Sequence, residues 1–77
     1  MNYKDRITTD PDILGGKPVI RGTRISVEFI LELYASGASK DEILHNYPHL
    51  SEEDIHAALS YAIRFLKNEI VLELDTV

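Results

Sequence analysis

Two helix-start signals on either side of a short turn constrain the fold more than any other feature of this chain. Ser39 is followed three residues later by Glu42, and Ser51 is followed in the same way by Asp54. At this spacing the serine hydroxyl accepts a hydrogen bond from an early helical N–H, while the acid accepts one from the serine N–H. Pro48 separates the two signals, and because it has no backbone N–H it prevents one continuous helix. The stretch therefore predicts helix, tight turn and helix.

Apolar residues at helical spacing predict one helix before this pair. Ser26 is a suitable N-cap for a helix over residues 27–35, and Gly37 is suited to end it in a left-handed conformation. The second helix is predicted over residues 40–46 and the third over residues 52–67. The residues of the first helix that predict a single buried stripe are Val27, Ile30, Leu31 and Tyr34. Residues 26–67 thus predict a three-helix unit.

The third helix carries two apolar lines rather than one. The main line is predicted to be buried and consists of Ile55, Ala58, Leu59, Ala62, Ile63 and Leu66. The second line consists of Ala57, Tyr61 and Phe65. In a short chain there is little else to cover both lines, so the second line predicts either core packing, a homodimer contact or a surface for another protein.

Residues 1–25 predict a small β ribbon rather than a helix. Residues 7–9, 19–20 and 23–25, where β-branched residues cluster between turn formers, are the candidate strands of a ribbon with two or three strands. Arg21-Gly22 is suited to close a tight hairpin between the segments 19–20 and 23–25. An isolated ribbon of this size is marginal in water, so we expect it to pack on the helices or to pair with a second copy.

The last ten residues, 68–77, alternate in polarity. Ile70, Leu72 and Leu74 fall on one side at period two, which predicts a terminal strand that closes the ribbon or adds to the sheet of another protein. Continuation of the third helix is the alternative. The tail is therefore a candidate for partner binding in either form.

Composition limits the chain to one small domain. We expect residues 1–77 to form a single α+β domain with a thin core, because a chain of this length buries only roughly 60% of its unfolded surface. No cysteine is present, no apolar run reaches bilayer length and no secretion signal precedes the domain, so we expect a cytoplasmic protein. We also expect no metal, no cofactor and no catalysis, because the serines are accounted for as caps and no nucleophile is paired with a base.

Charge is distributed unevenly along the chain. The overall net charge is −5, yet basic residues outnumber acidic ones in residues 1–25. Any contact with a polyanion should therefore come from this segment, with Lys17, Arg21 and Arg24 as the candidate DNA-binding residues. The third helix would be the recognition helix of a helix-turn-helix, but it begins with Glu52 and Glu53, which repel phosphates.

Several motifs together resemble one known family. They are the run GGKPVIRGTRI over residues 15–25, Tyr47-Pro48-x-Leu50, and Asp54-Ile55. This pattern is similar to that of the domain-of-unknown-function family four hundred and thirty-three, whose members are described as VapB-type antitoxins. The resemblance runs from about Ile7 to Phe65. It implies a small dimeric protein with an N-terminal β segment and a homeodomain-like three-helix unit, often encoded beside a PIN-like ribonuclease.

The resemblance also implies a function. An antitoxin of this kind would bind and inhibit a PIN-like ribonuclease toxin and repress its own operon through operator DNA. Arg64 and Lys67 are the cations that would enter the nuclease's metal-binding carboxylates, followed by the apolar tail. With Tyr61 and Phe65 they complete the predicted partner-binding set. The alternative is an interaction or dimerisation module that does not bind DNA.

Overall fold

The computed structural model describes residues 5–74, with side chains described over residues 5–67. The chain forms two short strands and three helices. In chain order they are β1 (Ile7–Thr8), β2 (Val19–Ile20), α1 (Val27–Ala35), α2 (Lys40–Asn46) and α3 (Glu52–Leu74). The small α+β architecture expected from the sequence, a ribbon followed by three helices, is confirmed.

The ribbon contains two strands, the smaller of the two arrangements that the sequence predicts. β1 and β2 pair antiparallel, with Ile7 opposite Ile20. After β2 the Thr23 N–H donates to the Ile20 carbonyl at 3.0 Å, which closes a turn in which Gly22 adopts a φ of 81°. The third candidate strand, residues 23–25, does not form: the Ile25 carbonyl accepts the Ile20 N–H at 2.9 Å, but the pairing stops at an isolated bridge between Val19 and Ser26, where α1 is about to begin.

The connection between β1 and β2 is compact rather than extended. The Asp10 side chain accepts a hydrogen bond from the Asp12 N–H at 2.9 Å, and the Asp10 carbonyl accepts one from the Ile13 N–H at 2.9 Å. A single 3₁₀ turn follows at Leu14–Gly16, in a segment for which no helix was expected. Leu14 is exposed there and has a φ of 49°, an uncommon conformation for a residue with a side chain.

Each of the three helices begins with the serine cap that the sequence predicts. In every case the hydroxyl oxygen accepts a hydrogen bond from the N–H three residues later, which satisfies a donor that has no partner inside the helix. The three bonds are Ser26 with Phe29 at 2.9 Å, Ser39 with Glu42 at 3.1 Å, and Ser51 with Asp54 at 3.1 Å.

The core joins the ribbon to all three helices. Ile20, Ile30, Ile43 and Ile55 are almost completely buried, and each comes from a different element. Ile7 adds the first strand to the same cluster. The ribbon therefore packs on the helices, one of the two arrangements expected for a sheet too small to be stable alone.

α3 extends beyond its predicted end and includes most of the tail. The backbone remains helical to Leu74, so the terminal strand is wrong and the alternative, continuation of the helix, is right. No glycine or proline occurs between Glu52 and Leu74, so nothing in this stretch stops the helix locally. Positions two apart lie roughly 200° apart around a helix axis, so the alternation of Ile70, Leu72 and Leu74 marks no single face.

Candidate functional site

Lys17 lies beside α1 and is engaged in an ion pair. Its Nζ donates a hydrogen bond to Glu28 Oε1 at 2.7 Å, and this bond, together with the attraction of the Glu28 charge, raises the pKa of Lys17. Glu32, one turn further along α1, adds a smaller attraction. The pair is exposed and adds little stability. The negative charge of Glu28 offsets the positive charge that Lys17 would need to contact a DNA phosphate.

Arg21 and Arg24 lie together in the turn that follows β2, and both are exposed. The Arg21 Nε donates to the Asp5 carbonyl at 2.9 Å, which ties the turn to the start of the chain. Lys17 precedes β2, and four residues of extended chain cover roughly 13 Å. The three predicted DNA-binding residues are therefore two arginines in one loop and a lysine at the other end of β2.

The start of α3 presents carboxylates to solvent. Glu52 and Glu53 are exposed, as is His56 one turn later. The Lys40 ammonium donates a hydrogen bond to Glu52, and this bond and the attraction of the Lys40 charge lower the pKa of Glu52. Glu53 adds a second negative charge beside this pair. The helix expected to read a major groove is thus acidic at the end that would enter it.

An open apolar groove of about 360 Å³ lies between α1 and α3. Its α1 wall is formed by Val27 and Leu31, with Glu28 at the rim. The Lys17-Pro18 segment closes one side. The residues that α3 contributes are Tyr61, Ala62, Phe65 and Leu66. Two predicted partner-binding residues, Tyr61 and Phe65, therefore line one concave surface with Leu66.

Beyond Ala62 the described side chains of α3 are no longer covered by the rest of the domain. We call residues 63–74 the arm. All five arm residues with described side chains, 63–67, are exposed, and the exposed fractions reach 63% for Ile63, 59% for Phe65 and 48% for Leu66. The prediction that Ile63 and Leu66 are buried with Ile55 is wrong. α1 has nine residues and α3 has 23, so α1 cannot cover the whole helix.

The arm has two faces. Phe65 and Leu66 lie one turn beyond Tyr61 and Ala62 and so continue the groove, and we call this side the groove face. The opposite side, the outer face, carries Ile63, Arg64 and Lys67, which are spaced three and four residues apart. The predicted partner-binding residues therefore divide between two surfaces. Ile70, Leu72 and Leu74 belong to the same prediction, but their side chains lie outside the described residues.

Sequence reasoning found most of this surface but missed its rim. The ion pair between Lys17 and Glu28 was not predicted, although the two residues are brought together by the hydrogen bond from the Val27 N–H to the Pro18 carbonyl at 2.9 Å. The second apolar line of α3 was the signal for the groove. No local pattern predicted the position along α3 after which its side chains become exposed, because that position depends on the length of α1.

Two kinds of site do not occur in the described part of the chain. Over residues 5–67, whose side chains the structure describes, no group of three or more histidine, cysteine or acidic side chains is arranged to hold a metal ion. Among the helices within residues 5–74, none is long and apolar enough to cross a membrane.

These features define a small α+β protein with a two-stranded antiparallel sheet, three helices and an exposed apolar groove. The family model described as "Protein of unknown function (DUF433)" matches residues 7–62, and the chain belongs to this family. The sequence resemblance is thereby confirmed at the level of the family.

One curated relative and one solved structure extend this comparison. The relative is "Uncharacterized protein y4eO" of Sinorhizobium fredii, 42% identical over 59 residues that make up 77% of this chain and 27% of the relative. The chain thus spans about a quarter of that protein's length. The structure is that of a DUF433 member protein from Anabaena variabilis, with a TM-score of 0.76 and 35% identity, covering 94% of this chain and 70% of the other.

Proposed function

We propose that this protein is an antitoxin-like binding protein that holds a PIN-like ribonuclease inactive through the outer face of its arm. The observation that most directly supports the proposal is the arm itself. It is a helical extension on which Ile63, 63% exposed, lies beside two exposed cations, Arg64 and Lys67. An apolar side chain flanked by cations suits a cleft with an apolar rim and an acidic interior.

The chemistry of inhibition follows from the target. A PIN-like ribonuclease holds its divalent metal with clustered carboxylates, which are oxygen ligands. A guanidinium can engage such a carboxylate with two parallel hydrogen bonds, and an ammonium acts as a second point charge. Arg64 and Lys67 entering the cluster would compete with the metal for these oxygens. The body of the arm would at the same time cover the cleft and exclude the RNA substrate.

The tail residues of the predicted partner set follow Lys67 on the same helix, whose backbone runs to Leu74. We assign Arg64 and Lys67, followed by the predicted tail residues Ile70, Leu72 and Leu74, to the nuclease.

Calorimetric titration against a PIN-like ribonuclease tests the proposal. The first nuclease to test is a PIN-like ribonuclease encoded by a neighbouring reading frame. We expect the full chain to bind and to suppress RNA cleavage, and a chain ending at residue 67 to bind at least roughly tenfold more weakly, since an apolar turn of helix contributes on the order of 1.4 kcal/mol or more. Equal affinity of the two chains would remove positions 68–77 from the mechanism.

A second candidate function is operator binding, and a different observation favours it. Arg21 and Arg24 are exposed in one loop, where a second copy would double them. In this proposal α2, the turn and α3 form a homeodomain-like helix-turn-helix that acts as a scaffold. The acidic start of α3, with Glu52 and Glu53, makes that helix a poor reader of phosphates. DNA contact would then come from the loop.

The alternative is an interaction module in the cytoplasm with no DNA contact. The ion pair of Lys17 with Glu28 supports this alternative, because it engages one of the three proposed DNA-binding cations within the protein itself. A binding measurement with a DNA fragment of the upstream operator separates operator binding from this alternative. Absence of binding at low salt, with the nuclease present, would leave the nuclease-binding function alone.

A further inference from the structure

The groove between α1 and α3 is an exposed apolar surface that the proposed function does not use. Arg64 and Lys67, assigned to the nuclease, lie on the outer face of the arm. Phe65 and Leu66 belong to the groove face, where they are 59% and 48% exposed. A continuous apolar surface of this kind, with charged residues at its rim, is typical of a site for another molecule. The groove is therefore a candidate site for a second partner.

We propose that the groove binds an amphipathic helix of another protein, with basic residues along the edge of that helix that faces α1. The spacing of the wall residues fits a helix. Val27 and Leu31 on α1 are four residues apart, and so are Tyr61 and Phe65 on α3. Side chains at this spacing form ridges along a helix, and the ridges of one helix pack into the grooves of another. The walls thus suit the apolar positions i, i+4 and i+7 of a helical ligand.

The chemistry of the groove lining favours a helix over an extended peptide. Apart from the Lys17–Glu28 pair at the rim, the side chains that line the groove are those of apolar residues and of Tyr61. An extended peptide would place its backbone N–H and C=O groups against this apolar lining, and a buried backbone group without a partner is costly. A helix makes these hydrogen bonds within itself, so it loses none of them in the groove.

The shape of the groove favours an elongated ligand over a small molecule. The groove is open to solvent, whereas sites for small molecules bury most of the surface of their ligand. The α3 wall also continues beyond the groove, because the helical backbone runs from Leu66 to Leu74. These eight residues add roughly 12 Å of helix, along which an elongated ligand can lie.

The charge at the rim favours a basic ligand. Glu28 is at the rim, and Glu32 follows one turn later on the same side of α1; both are exposed. The hydrogen bond and charge of Glu28, and more weakly the charge of Glu32, raise the pKa of Lys17, so all three residues lie along one edge. Lys17 offsets only one of the two carboxylates. Cations on the facing edge of the ligand are therefore attracted, and an acidic ligand is repelled.

Fluorescence anisotropy with two labelled synthetic peptides tests the proposal. Both peptides have roughly 15 residues, enough for a helix, with leucine at i, i+3, i+4 and i+7 and either lysine or glutamate elsewhere. We expect the leucine–lysine peptide to bind the full chain at least roughly tenfold more tightly than the leucine–glutamate peptide at low salt, and the difference to shrink at high salt. Equal affinities, or no binding of the lysine peptide, would overturn the proposal.

Two neutral substitutions on the arm show whether the peptide lies in the groove. Phe65→Ser removes an apolar side chain from the groove, and Ile63→Ser removes one from the outer face. Phe65→Ser should weaken binding of the lysine peptide at least roughly tenfold, since an aromatic anchor is lost, and Ile63→Ser should leave it nearly unchanged. Both side chains are exposed, so both variants should fold, which thermal unfolding checks. Equal losses in the two variants would mean that the groove is not the site.

Two further substitutions separate the rim from the net charge of the chain. Glu32→Gln removes an exposed carboxylate beside the groove, and Glu53→Gln removes one in the first turn of α3. Each changes the net charge by the same amount. Glu32→Gln should weaken the lysine peptide several-fold at low salt and Glu53→Gln much less, because the attraction falls with distance. The same effect in both variants would contradict the assigned role of the rim.

The remaining outcomes concern other occupants and the proposed function. Sedimentation of the chain with and without the lysine peptide shows whether a second copy occupies the groove. Self-association that excludes the peptide and is lost in Phe65→Ser would overturn the inference. The nuclease is absent from all of these measurements. A nuclease that fails to bind therefore leaves the peptide result unchanged, and a peptide that fails to bind refutes this inference without affecting nuclease binding by the outer face.

Discussion

Arg6 Nη1 lies 3.0 Å from Asp54 Oδ1, and this ion pair joins the residue before β1 to the first turn of α3. Asp54 also accepts the Ser51 N–H at 3.0 Å through its other oxygen and donates its own N–H to the Ser51 hydroxyl. One carboxylate thus completes a helix cap and fixes the ribbon to α3. Its side chain is only 14% exposed, so we expect its loss to affect the stability of the fold.

Replacing Asp54 with alanine should lower the free energy of unfolding by about 1–3 kcal/mol. The variant keeps the bond from the N–H of residue 54 to the Ser51 hydroxyl, but it loses the bond from the Ser51 N–H to the carboxylate, worth about 1–2 kcal/mol, and an ion pair to Arg6 that adds up to about 1 kcal/mol where solvent screens it. Urea unfolding of the two proteins measures the difference. Glu53→Ala, at the exposed neighbouring position, is the matched control and should stay within about 0.5 kcal/mol of the natural sequence. An equal loss in both variants would contradict the assigned role of Asp54.

The same carboxylate should make stability dependent on acid pH. Burial alone would raise the pKa of Asp54, but hydrogen bonds from the Ser51 N–H, Arg6 and the Ser51 hydroxyl, with the Arg6 charge, together lower it from the ordinary value of 3.8. A carboxyl with a lowered folded-state pKa stabilises the fold above its unfolded pKa. That stabilisation is lost as the pH falls from about the unfolded-state pKa through the folded-state pKa.

Urea unfolding of the natural sequence and Asp54→Asn between pH 7 and pH 3 checks this prediction. The difference in unfolding free energy should be constant well above pH 3.8 and should shrink as the pH falls below it. A difference that is unchanged down to the most acid pH would show that the charge of Asp54 contributes nothing.

The local signals in the sequence were sufficient to place the start of α1, α2 and α3. Each start rests on a serine and a donor three residues away, so it requires no knowledge of the rest of the fold. The end of α1 was equally local. Gly37 has a φ of 101°, and the Ala38 N–H donates to the Leu33 carbonyl at 3.1 Å, as expected for a left-handed helix end.

The end of α3 and the position of the candidate site could not be predicted from local sequence signals in the same way. Residues 70–74 alternate in polarity as a strand would, yet the helix continues through them because no residue there stops it. The same helical period predicts burial for Ile55 and Ile63 alike. Their exposed fractions are 1% and 63%, because Ile55 belongs to the core shared by the ribbon and the helices, whereas Ile63 does not. Which apolar positions become surface thus depends on how the elements pack together.

Charge reversal on the outer face should weaken nuclease binding. In Lys67→Glu a proposed contact with the acidic cleft becomes repulsive, so we expect affinity for the PIN-like ribonuclease to fall by roughly tenfold or more. Calorimetry at two salt concentrations measures the change and its screening. Lys40→Glu is the control, because it makes the same change at an exposed lysine that lies on α2 and pairs with Glu52. Similar losses in the two variants would indicate a general charge effect instead of a specific contact.

The loop after β2 provides the test of DNA binding. If Arg21 and Arg24 contact phosphates, replacing either one with alanine should reduce the slope of log affinity against log salt by roughly one unit. Lys17→Ala should change that slope much less, because the Lys17 ammonium already bonds to Glu28 at 2.7 Å. Fluorescence anisotropy of a labelled operator fragment across a salt series gives the three slopes. A larger change for Lys17→Ala than for either arginine would mean that the ion pair opens on DNA and that the phosphate contact lies beside α1.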